Sequence, residues 1–271
     1  MSIIVNNTDL RIRPSAVNNF FSCAHQWGKV FLEGVITIPN SRAAIGTSIH
    51  AAVEELWTDA IATGKKDTNL SKMTDAAMEA WKEEEAKGMT YDDGETAGTA
   101  AAEIIRGTES FIEDIVPFTK IPTGVEEFFK IDIDHPIVSE IGGTVDYITA
   151  DTIGDVKTSK RKINAQGHST QQSIYKYLAK ANGRKIEHNI IQGVVLKPAT
   201  KTLPARAEGS ILTLEANEDE AKARINIILD TLDLIASDVA PIETILRPNP
   251  GHYLCSNKYC SLYPCRAIVE Q

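Results

Sequence analysis

Residues 142–178 read GGTVDYITADTIGDVKTSKRKINAQGHSTQQSIYKYL, and the spacing of polar residues in this stretch decides the fold. Two β-rich runs, Thr144 to Thr149 and Ile153 to Thr158, are separated by Ala150, Asp151 and Thr152. A short polar connection between such runs predicts a hairpin. Pairing about that turn brings Asp146 to the level of Asp155. Asp155 and Lys157 stand two residues apart, so their side chains share one face of a strand. Two carboxylates and one amine then converge. Such a set suits a hard divalent cation such as Mg²⁺, which takes oxygen ligands, usually carboxylates and waters. A metal held there lowers the pKa of a water and offsets charge on a phosphate. An adjacent lysine can hold or deprotonate the attacking water. Alone, an Asp-x-Lys pair is more often an ordinary ion pair on a surface hairpin; the neighbours change that reading.

The run Lys157, Lys160, Arg161 and Lys162 follows the second strand, and a helical pattern begins near His168. Gln171 and Tyr175 are four apart and share a helix face. An amide and a phenol on one face can contact a nucleic-acid strand beside a metal, although singly such residues are commonly solvated or capping. The motifs GGTVDYIT, IGDVKTSKR and QQSIY resemble those of the PD-(D/E)XK nuclease superfamily, and of its RecB-like branch in particular. That branch includes AddB and the CRISPR-associated RecB-like exonucleases. Its pattern of Asp, Asp-x-Lys and Gln-x-x-x-Tyr falls on Asp146, Asp155 with Lys157, and Gln171 with Tyr175. The resemblance implies a metal-dependent DNA nuclease, an exonuclease in expectation. Lys157, Asp155 and Asp146 would be catalytic, with Gln171, Tyr175, Lys160 and Arg161 on the DNA.

Working outward, a helix is expected from about Arg42 to Ala62. It carries Gly46, His50 and Glu54 at four-residue spacing, which resembles the helix bearing the first active-site motif of RecB-like nucleases. That resemblance makes His50 a metal ligand beside Asp146 and Asp155, with the carbonyl of Val156 a further candidate. A lone helical histidine is more often a buried, hydrogen-bonded residue. Imidazole is a softer ligand than Mg²⁺ prefers, so His50 fits Mn²⁺ well, and Glu54 orients His50 or a water. GVEEFFKIDID, residues 124–134, has the period of a strand. Glu126 or Glu127 at its start is a candidate for the site, because related folds often bring a carboxylate from an earlier element.

The chain has four cysteines. Cys255, Cys260 and Cys265 are spaced C-x4-C-x4-C in a Pro-rich tail, and Cys23 lies in the segment SAVNNFFSCAHQWGKVFLEG, which reads as one helix ended by Gly34. Four thiolates suit a [4Fe–4S] cluster or a structural zinc ion. RecB-like and AddB nucleases with a cluster show the same one-plus-three arrangement, with a Ser-x-x-x-x-aromatic pattern ahead of the first cysteine that Ser15 and Phe20 match. Their common C-x2-C start is missing here, which leaves zinc open. Either metal would staple segments 14–34 and 248–271 together.

The remaining bounds are coarser. The 271 residues are 42% hydrophobic and 24% charged, which is ordinary globular composition. A net charge of −9 and a pI of about 5.2 argue against a generic polyanion binder, though a local basic groove suffices for a nuclease. No apolar run is long enough to span a bilayer and the N-terminus has no apolar signal core, so cytoplasm is the expected compartment. Residues 65–116 read as two helices, about Ser71 to Lys87 and Glu95 to Val116, forming an insertion with solvated charge runs. After the Gln171 helix come a buried strand, IEHNIIQGVVLKP, and an antiparallel neighbour, PARAEGSILTL, with Lys197, Lys201 and Arg206 about the turn. An amphipathic helix follows over 217–238. The expected architecture is one α/β domain: a PD-(D/E)XK core with a mixed central sheet, a helical insertion and a metal-cluster site. No phosphate-binding GxxxxGK[ST] is present, so unwinding would need a partner such as a helicase, a recombination factor or a CRISPR-adaptation protein. The reading from another class is a catalytically idle, nuclease-like DNA-binding or assembly subunit.

Overall fold

A computed structural model describes residues 9–66, 68–197, 204–252, 255–256, 260 and 262–265. Its elements run β1 (Leu10–Ile12), α1 (Pro14–Ser22), α2 (Ala24–Phe31), α3 (Ser41–Thr63), α4 (Leu70–Lys87) and α5 (Ala97–Ser110). Then come β2 (Glu127–Asp132), β3 (Val138–Val145), β4 (Tyr147–Ile148), β5 (Thr152–Ser159), α6 (Ser169–Ala181), β6 (His188–Lys197), β7 (Arg206–Leu214), α7 (Glu218–Ala236) and α8 (Ile242–Ile245). The fold is mixed α/β. Strands β1, β3 and β2 form one sheet in that order; β4, β5, β6 and β7 form another. Strands β5 and β6 are parallel, and α6 makes the crossover between them. Strand β7 returns antiparallel to β6, as the two apolar runs predict.

The predicted hairpin is present but short. Only Tyr147 and Ile148 pair with Gly154 and Ile153. Thr144 and Val145 pair instead with Phe128 and Glu127 of β2. The chain therefore changes sheets at Asp146, which belongs to no strand. Gly143, just before this switch, has no room for a side chain: a Cβ there would lie 2.6 Å from Pro14 and 3.1 Å from the Tyr175 ring. This close approach seats α1 and α6 against β3.

Two apolar cores flank the switch. One joins β1–β3 to α1, α2, α6 and α7 through Phe20, Trp27, Phe129, Ile141, Ile174 and Ile228. The other joins α3, α4 and α5 to one face of the second sheet, with Val156, Val194 and Leu196 on the sheet side. Met73, Ala77, Trp81, Ala100 and Ile104 are all buried in it. The stretch 65–116 thus supplies an apolar face to the core as well as the solvated charge runs read from sequence.

The single helix expected over 15–34 is two. Cys23 is extended (φ −159°, ψ 97°) and separates α1 from α2. The C-terminal segment docks at this break. The His25 N–H donates to the Arg247 carbonyl (3.3 Å), and the Asn249 amide donates to the Ser22 carbonyl (3.1 Å). Lys201 and parts of the tail lie outside the described residues. Among the described residues no helix is long and apolar enough to cross a membrane.

Candidate active site

The site forms where a strand edge is left open. Pairing of β4 with β5 ends at Gly154. Beyond it the main chain of Val156 bonds to side chains instead. Its N–H donates to Asp146 Oδ2 (2.7 Å), and its carbonyl accepts from His50 Nε2 (2.9 Å). His50 Nδ1 lies 3.5 Å from the same Asp146 oxygen. His50 is carried by α3, whose start is fixed by Asn40 accepting from the Ala43 N–H. A stripe through Ile45, Ile49, Val53 and Trp57 buries one side of α3. His50 sits at the margin of that stripe, half-buried and facing β5.

Asp155 and Lys157 do share a face of β5, opposite to that of Val156. Lys157 Nζ is 2.6 Å from Asp155 Oδ2. Gln171 donates through Nε2 to Asp155 Oδ1 (3.2 Å) and to the Tyr175 hydroxyl (3.3 Å). Both were expected on a strand-contacting face. They are buried, 8% and 6% exposed, and their polar atoms turn toward Asp155. The cause lies in the polar run Ser169–Ser173, which is buried throughout. Gln172 accepts from the Asn189 amide (3.1 Å), and Ser173 accepts from the Asn217 N–H (2.9 Å). Five consecutive buried polar residues are an unusual use of a helix start, and the run QQS was the available signal.

Glu126 completes the group. Ligand atoms of His50, Glu126 and Asp146 lie within 4.8 Å of one another. Of the two candidate glutamates, Glu127 turns away to Arg184. Glu126 takes φ +50°, a region ordinary side chains avoid. Main-chain bonds between Gly124 and Ile148 of β4 hold the preceding residues in place (3.1 and 3.2 Å). This aim depends on contacts distant in sequence. Asp155 lies outside the tight group, held by Lys157 and Gln171.

The carboxyls disfavour their own charge. Burial pushes Asp146 up to about 6, against the pull of Lys157 and the Val156 N–H. Partial desolvation and then Asp146 push Glu126, itself still exposed at the surface, up to about 7. Burial raises Asp155 too, with Lys157 opposing. Burial and then Lys157 hold His50 low, so its ring is neutral and competent as a ligand. Crowded carboxyls of raised pKa beside a neutral imidazole and an inward carbonyl fit a divalent cation, which would relieve their mutual repulsion.

The candidate basic residues are arranged less simply. Lys160 pairs with Asp92 at 3.0 Å. Arg161 is exposed, its N–H bonded to the Ser159 hydroxyl. The four cysteines are all partly buried. The Cys255 thiol is pushed up, first by burial and then by Cys23, Cys260 and Cys265.

A model of the PD-(D/E)XK nuclease superfamily matches residues 11–265. The chain belongs to that superfamily. Among solved structures, this nuclease is similar to a "Putative exonuclease" from Eubacterium rectale. The TM-score is 0.57 at 11% identity, over 92% of this chain and 86% of that one. At that identity the likeness is one of fold. No curated protein sequence matches the chain. Members of the superfamily use divalent metals, and His50, Glu126 and Asp146 form a group able to hold one.

Proposed function

We propose that this nuclease is a divalent-metal-dependent deoxyribonuclease of the RecB-like branch, acting as an exonuclease. The observation that carries the reading is the convergence of His50, Glu126, Asp146 and the Val156 carbonyl beside the Asp155–Lys157 pair. His50, Asp146, Asp155 and the Val156 carbonyl would hold Mg²⁺ or Mn²⁺, with Glu126 as a further ligand. The bound cation supplies a Lewis acid for a water and a phosphate oxygen. Lys157, 24% exposed and paired with Asp155, holds the attacking water and balances charge on the phosphate. Gln171, fixed by Tyr175, keeps Asp155 turned toward the cleft. Lys160 and Arg161 lie further along the strand path. End-labelled single- and double-stranded DNA, incubated with Mg²⁺ or Mn²⁺, is expected to shorten progressively. EDTA should stop the reaction and excess Mg²⁺ should restore it. Cleavage undiminished in EDTA would end this reading.

We further propose that Cys23, Cys255, Cys260 and Cys265 bind a [4Fe–4S] cluster, with structural zinc as the alternative. Support comes from Cys255, whose thiol is raised by burial and then by Cys23, Cys260 and Cys265, and from the docking of the segment around Asn249 beside Ser22. The cluster reading expects a brown protein with about four irons per chain; zinc expects a colourless one. In both, Cys23→Ala should remove the metal and lower the melting temperature while leaving the catalytic ligands in place. A metal-free wild-type protein that melts like Cys23→Ala would refute both.

A further inference from the structure

Lys160 is not presented freely to solvent. Its Nζ meets Asp92 Oδ2 at 3.0 Å, and the same oxygen lies 3.6 Å from Arg42 Nε. Asp92 comes from the loop between α4 and α5, and Arg42 from the first turn of α3. Arg42 is otherwise committed to Glu95 and Glu103, both buried at their carboxylates. Three carboxylates therefore face two cations, and Asp92 is the outermost, its side chain 39% exposed.

The loop backbone holds Asp92 in place. Gly88 (φ +86°) and Gly94 (φ +76°) bracket Met89–Asp93 in conformations that favour glycine. Between them Thr90 pairs with Asn40: its N–H donates to the Pro39 carbonyl (3.0 Å), and its carbonyl accepts from the Ser41 N–H (2.8 Å). The Tyr91 hydroxyl donates to Glu85 (2.8 Å). The main chain is thus pinned to the start of α3, so release of Lys160 calls for a change at the Asp92 side chain.

This ion pair lies beside the end of β5. Gly46, one α3 turn before His50, approaches the Thr158 hydroxyl. Arg42 is one turn further out on the same face. His50, Gly46 and Arg42 therefore mark a line leading from the metal-ligand group to Lys160 and Asp92.

We propose that Asp92 makes an autoinhibitory contact with a lysine of the DNA path. Its carboxylate occupies Lys160 as a phosphate mimic, and a DNA strand gains that lysine only by displacing it. The proposal rests on the DNA-nuclease reading above. An acidic chain would by this means limit unproductive binding at its own active-site mouth.

The test is a double-mutant cycle on binding of a fluorescein-labelled single-stranded oligonucleotide in EDTA, read by anisotropy. Wild type, Asp92→Asn, Lys160→Ala and the double variant are compared, with melting temperatures as a check on folding. Asp92→Asn is expected to tighten binding about threefold, the scale of one half-exposed ion pair. In the Lys160→Ala background it should change binding little. No tightening in either background, or equal tightening in both, would overturn the proposal, the second by making Asp92 a generic negative charge. Should Asp92→Asn lower the melting temperature, Asp92→Ser serves as the second variant under the same criteria. Wild-type protein that binds no DNA under any salt would instead count against the nuclease reading itself.

Discussion

Asp155→Asn is expected to abolish DNA cleavage and leave the fold intact. Asp155 is 2% exposed, and burial makes its charge costly to the folded chain. An amide of the same shape removes that cost and still accepts from Gln171. The melting temperature should therefore stay level or rise, the exchange expected where an active site is kept at the expense of stability. Activity moves the other way, because the amide is a poor ligand and no longer orients Lys157. Lys157→Ala tests the other half of the pair. It should reduce cleavage by about a hundredfold to a thousandfold, the usual loss for one group that stabilises charge in the transition state. Circular dichroism and single-turnover cleavage of labelled DNA check both variants. Wild-type-like digestion by Asp155→Asn would remove this pair from catalysis.

Divalent-metal affinity is expected to climb with pH and level off above about 7, because the ligands must shed protons first. The signs agree across the group. Asp146 and Glu126 hold protons more tightly in the folded chain than their ordinary values of 3.8 and 4.5 allow. Their protonation stabilises the metal-free fold fully below those values. That contribution is lost as pH rises through about 6 for Asp146 and about 7 for Glu126. His50, held low, must likewise be neutral to bind. Between those two values one proton leaves with each metal bound, so affinity should change about tenfold per pH unit. Metal at a hundred times its dissociation constant adds about 2.7 kcal/mol to stability. For a chain of this size that raises the melting temperature by roughly 5–10 °C. Thermal melts with and without Mn²⁺ across this range measure the effect. A metal-induced shift that is flat with pH would exclude Asp146 and Glu126 as ligands.

Much of the site is legible in the sequence because its spacing is local. Asp155 and Lys157 share a strand face by periodicity alone, and Gln171 and Tyr175 a helix face. Burial is less legible. Nothing in QQSIY says that Gln171 turns inward to Asp155, because that depends on β3 and α1 closing over Gly143. Glu126 was one of two adjacent glutamates, and the choice rests on a positive φ just beyond the Gly124 bridge to Ile148, far along the chain. The break at Cys23 is hidden because the apolar pattern from Phe20 to Phe31 continues across it. The charge runs of α4 are solvated as read, yet Trp81 and Ala77 on the opposite face are buried.

The open edge of β5 at Val156 has an evolutionary consequence. A carbonyl is common to every residue type, so no substitution a gene can encode deletes this one. Position 156 can drift among residues that fill its buried place and leave the group facing His50 unchanged. The N–H that steadies Asp146 is nearly as secure, since only proline lacks it. Part of this site is therefore heritable through the path of the chain alone, beyond the reach of alanine scanning and invisible to comparison of side chains.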